Sequence, residues 1–89
     1  MVQQNVKVVN PSGLHLRPAS ILSQIASKCK SEIKLVKEEK SVNPKSVLVL
    51  MAAGIKCGEE ITVECSGETE KEDLQVIIKA IESGLGELD

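Results

Sequence analysis

The residues with the clearest capacity for chemistry lie in the stretch NPSGLHLRPAS. His15 is the only histidine of the 89-residue chain, and Arg17 and Pro18 follow it within three positions. Proline is favoured in the first turn of a helix, where its missing N–H costs nothing and its fixed φ helps the helix to begin. The pattern therefore predicts a helix that begins near Leu16 with His15 at or beside its N-cap.

A helix that begins here makes an anion-binding site beside His15. The first-turn N–H groups have no acceptor within the helix, and the helix dipole places positive charge at this end. Such ends bind phosphate readily, and the guanidinium of Arg17 adds a permanent charge with several donors. Because phosphoryl transfer depends mainly on positioning and charge stabilisation, a neutral imidazole at this site is suited to accept a phosphoryl group.

Other uses of His15 have less support in the sequence. A lone histidine is most often a surface or half-buried residue without a role. As a metal ligand it lacks a second histidine or carboxylates at a suitable spacing, so we expect no metal. A nucleophilic Cys57 in IKCGEE is conceivable, but nothing in the sequence places the single histidine near it. No nucleotide-binding loop of the type GxxxxGK[ST] is present, so the phosphoryl donor is expected to be another protein and no cofactor is expected.

Composition excludes several classes of function. The formal net charge is −2 and there is no Phe, Tyr or Trp, so both the basic footprint and the aromatic platforms of nucleic-acid-binding modules are missing. No apolar run approaches the ~20 residues of a membrane span, and the N-terminus does not have the pattern of a signal peptide. Three cysteines without a CxxC pair favour free thiols in a reducing compartment. We therefore expect a cytoplasmic protein that forms one domain over residues 1–89 and neither binds nucleic acid nor inserts into membranes.

The elements that must position His15 are indicated by apolar periodicity. Alternation predicts a strand around Val6 and Val8, further strands around Ile33 and Leu35, around Ser41 and Val42, and from Ile61 to Cys65. Helical spacing predicts an amphipathic helix from Leu16 to Cys29 and a final helix that runs from a capping box at Thr69 and Glu72 to Leu85.

The run from Val47 to Ala53 is apolar throughout, and periodicity does not decide between strand and helix there. We predict a short helix because Asn43 and Ser46 are good N-caps, Pro44 suits a first helical position and Gly54 suits a C-terminal stop. The order βαββαβα predicts an α+β fold, an open-faced two-layer sandwich in which three helices cover one face of a four-stranded, mainly antiparallel sheet.

With these residues in view, the chain resembles HPr, the histidine-containing phosphocarrier family of the bacterial phosphoenolpyruvate-dependent sugar phosphotransferase system. GLHLRPAS and the later NPKSVLVLMAAGIKCGEEITV carry the resemblance, which extends over essentially the whole chain. It implies that Enzyme I phosphorylates His15 at Nδ1 and that His15 passes the group to IIA sugar-permease components. Arg17 would stabilise the phosphoryl group, and the backbone amides of Leu16 and Arg17 would cradle it. The protein would be a carrier and not itself an enzyme, and we expect a monomer.

The resemblance also implies a regulatory site at Ser46, phosphorylated by HPr kinase/phosphorylase. The sequence alone favours a simpler role for Ser46 as an N-cap, although the two roles are compatible because phosphate is stabilised at a helix N-terminus. Seven consecutive apolar residues are more than a one-sided helix can bury, so Val47, Leu48 and Met51 are expected to form an exposed surface for a partner. The resemblance implies that Leu16 belongs to the same docking surface.

A second class of function remains open on these residues. A non-catalytic regulatory or adaptor module of the same fold would bind partners through Val47 to Met51 and be switched at Ser46. The intact H-x-R-P string favours the carrier, because a purely regulatory relative would not need His15.

Overall fold

The computed structural model describes residues 1–87 and shows the predicted order of elements. The chain forms, in order, β1 (Val2–Lys7), α1 (Leu16–Ser27), β2 (Glu32–Lys37), β3 (Lys40–Val42), α2 (Val47–Ala52), β4 (Glu60–Ser66) and α3 (Glu70–Glu82).

The four strands form one sheet in the order β1-β4-β2-β3, and every neighbouring pair is antiparallel. Val6 lies opposite Ile61, and Ile33 lies opposite Cys65. Because side chains alternate along a strand, this register places the apolar residues of β1, β2 and β4 on the same face. The other face carries polar pairs, such as the hydrogen bond of 2.7 Å from Thr62 Oγ1 to Asn5 Oδ1. The predicted open-faced sandwich is confirmed.

Branched aliphatic side chains fill the core between the sheet and the helices. The largest fully buried hydrophobic side chains are Leu22, Ile33, Leu35, Leu50, Ile61, Ile77, Ile81 and Leu85. α1 contributes Leu22, α2 contributes Leu50, and α3 contributes the stripe from Leu74 to Ile81. Three helices therefore share one core with the sheet, and their relative positions are fixed by its packing.

α2 is helical as predicted, but Pro44 does not occupy its first turn. The N-cap is Ser46, whose hydroxyl accepts a hydrogen bond of 3.4 Å from the Val49 amide. Pro44 instead follows Asn43 in a β-turn closed by the bond from Ser46 N to Asn43 O at 3.2 Å. This is the turn position that the fixed φ of proline favours.

The ends of the other two helices also differ from the prediction. α1 ends at Ser27, and Cys29 follows it in the next turn, where its amide bonds to Ala26 O. At the start of α3 the predicted capping box of Thr69 and Glu72 is wrong, because the Thr69 hydroxyl donates to Asp73 Oδ2 at 2.7 Å and caps no amide. Burial of Asp73 explains the difference, since a buried carboxylate requires donors more than an exposed helix end does.

Candidate functional site

His15 is the N-cap residue of α1, as predicted. Its backbone is extended, with φ −75° and ψ −175°, and its carbonyl accepts the first bond of the helix from Ala19 N at 2.8 Å. The imidazole is exposed and makes no capping hydrogen bond. The backbone of His15 thus begins the helix while its side chain stays accessible to another molecule.

The first turn of α1 presents two backbone donors beside the imidazole. Leu16 and Arg17 are the first two helical residues and Pro18, which has no N–H, is the third. Amides at these positions have no acceptor within their own helix, so they point outward with the positive end of the dipole. The side chain of Arg17 is exposed at the same place. The two amides and the dipole end therefore lie next to His15, and the exposed Arg17 side chain extends from the same turn.

The turn that leads to His15 has little conformational freedom. Gly13 N bonds to Asn10 O at 3.0 Å, and the fully buried Asn10 side chain donates from Nδ2 to Gly13 O. Gly13 has φ +65°, and a Cβ on it would lie 2.5 Å from Ile55 O. Only glycine fits here, because both the backbone conformation and the space exclude a side chain.

This close approach joins the start of α1 to the loop that follows α2. Leu14 N donates to Ile55 O at 3.0 Å, directly beside the Gly13 contact. Between the two segments lies a shallow pocket of about 230 Å³ that contains His15. The pocket is lined by Ser12, Leu14, His15, Met51, Gly54, Ile55 and Lys56. A depression of about 260 Å³ at the far end of the sheet includes neither His15 nor Arg17.

Glu87 holds the other side of the turn, a contact that the sequence analysis missed. Its carboxylate accepts from Ser12 Oγ at 2.8 Å, from Ser12 N at 3.1 Å and from Asn10 Nδ2 at 3.2 Å. These bonds, chiefly those from Ser12, hold the pKa of Glu87 below its ordinary value, and the charge of Arg17 acts in the same direction. Residues near opposite ends of the chain thus fix the backbone just before His15.

Glu59 performs a similar role for the loop after α2. Its carboxylate pairs with Lys37 Nζ at 2.7 Å and accepts a bond of 2.6 Å from Lys56 N. The hydrogen bond with Lys37 and the Lys56 amide together lower the pKa of Glu59. Lys37 also donates to Gly54 O at 3.5 Å. Carboxylates therefore support both walls of the His15 pocket, and neither was identified from the sequence.

An exposed apolar surface lies on α2 and the start of α1. Leu48 is 80% exposed, Leu16 62%, Val49 40% and Met51 38%, whereas Leu50 is fully buried. Val47 is only half-buried and packs against the core. The sequence analysis named Leu16, Val47, Leu48 and Met51 and did not single out Val49. We refer to Leu16, Leu48, Val49 and Met51 as the apolar patch.

Ser46 lies at the edge of this patch, and the residue before it is firmly anchored. Lys45 Nζ donates to Cys29 O at 3.2 Å and to Ser31 O at 3.1 Å. Ser23 Oγ donates in turn to Lys45 O at 2.8 Å. Ser46 itself is half-buried as the N-cap of α2. The expected regulatory serine and the expected docking residues thus belong to one short, well-anchored segment.

Possible metal ligands and cysteines are the other reactive side chains of residues 1–87. Within that range no three His, Cys, Asp or Glu side chains are grouped as metal ligands, and no helix is long and apolar enough to cross a membrane. Cys29 and Cys65 are buried, and burial raises the pKa of the Cys65 thiol to about 11. Cys57 is exposed in the loop beside Gly13, but its thiol is directed to Val9 O at 3.7 Å.

Comparisons with known proteins agree with this geometry. Residues 2–83 match the family described as the PTS HPr component phosphorylation site. Phosphocarrier protein HPr of Mycoplasma pneumoniae is 42% identical over 83 residues, which are 92% of this chain and 94% of that protein. The HPr-like protein Crh of Bacillus subtilis is 41% identical over 75 residues, or 84% of this chain and 88% of that protein.

Solved structures of HPr proteins are also similar to this chain. A crystal structure of HPr from Thermoanaerobacter tengcongensis superimposes with a TM-score of 0.92 at 36% identity, covering 98% of each chain. A structure described as an HPr dimer from the same organism gives 0.76 at 36% identity, covering 98% of this chain and 100% of that one. Fold, sequence and a family match over nearly the whole chain therefore coincide, and the chain belongs to the HPr family, the phosphocarriers of the phosphotransferase system.

Proposed function

We propose that His15 is the phosphoryl acceptor of this carrier, that phospho-Enzyme I is its donor and that IIA components of sugar permeases are its acceptors. The observation that carries the proposal is the position of His15, an exposed imidazole at the N-cap of α1 beside two outward-pointing amides. In the first transfer the bond from phosphorus to Enzyme I breaks as a bond to Nδ1 of His15 forms. In the second transfer the bond to Nδ1 breaks as phosphorus bonds to the IIA acceptor, and His15 is left free again.

Arg17 and the amides of Leu16 and Arg17 supply the charge stabilisation. The transferred group carries negative charge on its oxygens throughout, so fixed donors and a guanidinium stabilise it without large rearrangement. The rigid turn before His15 supports this role, because Gly13, Leu14 and Ser12 are each tied to another part of the chain. The chemistry that activates phosphate belongs to the partners, and this protein contributes an acceptor and its cradle.

We also propose that the apolar patch, with Val47 at its base, docks these partners. Large exposed apolar side chains beside a reactive group favour protein association, since their burial supplies affinity while His15 stays at the edge of the contact. Ser46 lies within the same segment, so a phosphate on its hydroxyl adds about two negative charges to the docking surface. Regulation by HPr kinase/phosphorylase at Ser46 is therefore part of the proposal.

The alternative is a regulatory HPr-like module that binds partners without carrying phosphate. It is favoured by the 41% identity to Crh, whose solution structure is described as that of the Bacillus subtilis catabolite repression HPr. Against it stands the complete set of His15, Arg17 and outward-pointing amides, which a docking module does not require.

Transfer of label from phosphoenolpyruvate separates the two functions. The protein is incubated with Enzyme I and labelled phosphoenolpyruvate, and the bound label is tested for stability in acid and base. A carrier acquires acid-labile, base-stable label that is absent from His15→Ala and retained in Ser46→Ala. Label missing from the wild-type protein would rule out the carrier and leave the regulatory module.

A second labelling experiment addresses Ser46. With HPr kinase and ATP, we expect label in the wild type and in His15→Ala and none in Ser46→Ala. Equal labelling of Ser46→Ala would remove the regulatory role. The same preparations, measured by light scattering after gel filtration, test the expected monomer against the dimer described for one relative.

A further inference from the structure

Lys56 lies in the wall of the His15 pocket that faces the end of α2. It lines the 230 Å³ pocket together with His15 and Ser12. Its Cα would be only 2.9 Å from a Cβ on Gly13, two residues before His15. The backbones that carry the lysine and the histidine are thus in direct contact.

The backbone of Lys56 is held independently of its side chain. Lys56 N donates to Glu59 Oε1 at 2.6 Å, and the preceding carbonyl of Ile55 accepts from Leu14 N at 3.0 Å. The side chain is exposed and carries its ammonium on a flexible stem with three donors. The backbone of Lys56 is therefore fixed beside the pocket, while its ammonium group can move.

The charges around this lysine leave its ammonium available. Glu59 is the nearest carboxylate along the loop and attracts the charge of Lys56, but its Oε2 already pairs with Lys37 Nζ at 2.7 Å. Glu87, on the opposite side of the pocket, is engaged by Ser12 and Asn10. Within residues 1–87 the ion pairs at this end of the protein do not include Lys56. The side chain is therefore free to turn towards a new negative charge in the pocket.

We propose that Lys56 is a second phosphoryl-binding cation, which contacts the phosphoryl group on His15 from the side of the pocket opposite the α1 amides. The inference rests on the proposed role of His15 as acceptor. It assigns the loop after α2 a part in holding the phosphoryl group in addition to its part in fixing Gly13.

The test uses protein phosphorylated chemically with phosphoramidate, so that no partner is needed. His15 is the only histidine, and the phosphorus-31 resonance of phosphohistidine therefore reports on one site. A nearby cation opposes protonation of the phosphohistidine, whether on the ring or on a phosphoryl oxygen. At low ionic strength we expect Lys56→Met to lower the apparent acid dissociation constant roughly threefold, so the titration midpoint moves to higher pH.

Two variants make the result specific. Lys56→Arg should titrate like the wild type, because the charge is kept. Lys30→Met removes an equal charge beyond the far end of α1, about 18 Å away along the helix axis, and should leave the midpoint unchanged. A midpoint in Lys56→Met equal to that of Lys30→Met would overturn the proposal.

The Enzyme I experiment keeps the two proposals apart. Wild-type protein that takes no label from Enzyme I would contradict the carrier function, while the titration of chemically phosphorylated protein still decides whether Lys56 contacts the group. Label transfer with an unchanged midpoint in Lys56→Met would contradict the Lys56 contact alone.

Discussion

Gly13 shows how much the position of His15 depends on a single small residue. Its backbone has φ +65°, and the carbonyl of Ile55 occupies the space where a side chain would begin. The same carbonyl accepts the amide of Leu14. A residue with no chemistry of its own thus determines where α1 begins relative to α2.

Gly13→Ala is expected to destabilise the fold by about 2 to 4 kcal/mol, since it adds both a steric overlap and an unfavourable positive φ. Gly54→Ala is the matched control, because Gly54 has φ +66° but open space around its Cβ position. We expect it to cost only about 1 kcal/mol. Urea unfolding of both variants measures the difference. Equal losses would show that the contact with Ile55 does not constrain the turn.

Local signals in the sequence were sufficient to predict the position of most residues that surround His15. Pro18 and the apolar spacing of α1 predicted the helix start, because these preferences act within a single turn. The contacts of Glu87 with Ser12 span 75 positions and those of Gly13 with Ile55 span 42, and no short pattern encodes them. Lys56 and Glu59 were missed for the same reason.

At the scale of elements, both helices that begin near the proposed site follow a turn opened by Asn and Pro. In the first, Gly13 N bonds to Asn10 O, and in the second, Ser46 N bonds to Asn43 O. The fixed φ of proline suits the second position of such a turn. Pro44 was assigned to the helix because the same residue type also suits a first helical position, and only the hydrogen bonds distinguish the two.

α2 has a buried and an exposed leucine two positions apart, which separates stability from docking. Leu50→Ala should lower the free energy of unfolding by about 2 to 4 kcal/mol, since Leu50 is fully buried. Leu48→Ala should change it by less than about 0.5 kcal/mol, because that side chain is 80% exposed. Leu48→Ala should nevertheless slow phosphoryl transfer from Enzyme I several-fold, as measured by initial rates of labelling. A normal rate in this variant would exclude Leu48 from the docking surface.

The segment before α2 is expected to depend on Lys45. Its ammonium donates to two carbonyls in the turn between α1 and β2. Lys45→Met leaves these carbonyls with fewer partners and should cost about 1 to 2 kcal/mol, with faster hydrogen exchange of the α2 amides. The control is Lys30→Met, which removes an exposed lysine between Cys29 and Ser31 and should change neither quantity. Unaltered exchange in α2 would show that the helix is held by packing alone.

At the scale of the whole molecule, one buried carboxylate joins α3 to the segment before β2. Asp73 of α3 accepts from Ser31 Oγ at 2.6 Å and Ser31 N at 3.0 Å, just before β2, and from Thr69 Oγ1 at 2.7 Å. Burial acts to raise the pKa of Asp73, but these hydrogen bonds outweigh it and leave the pKa below its ordinary value. Lys45 bonds to Ser31 O, so the network extends to the segment before α2.

The low pKa of Asp73 makes the free energy of unfolding depend on pH in the acid range. A carboxyl group whose pKa is lower in the folded state stabilises the fold above its unfolded pKa of about 4, and this contribution is lost as pH falls through the folded value. Asp73→Asn should therefore be less stable than the wild type by roughly 1 to 2 kcal/mol at pH 7, and the difference should shrink below about pH 4. Urea unfolding across this pH range measures both effects.

The neighbouring Glu72 provides the control for this prediction, since it lies in the same first turn of α3 but is exposed. Glu72→Gln should leave the profile close to that of the wild type. Some acid sensitivity should remain in Asp73→Asn, because hydrogen bonds and ion pairs also lower the pKa of Glu59, Glu70 and Glu87. A difference between Asp73→Asn and the wild type that stayed constant from pH 7 to pH 3 would mean that the network stabilises the fold through geometry and not through the charge of Asp73.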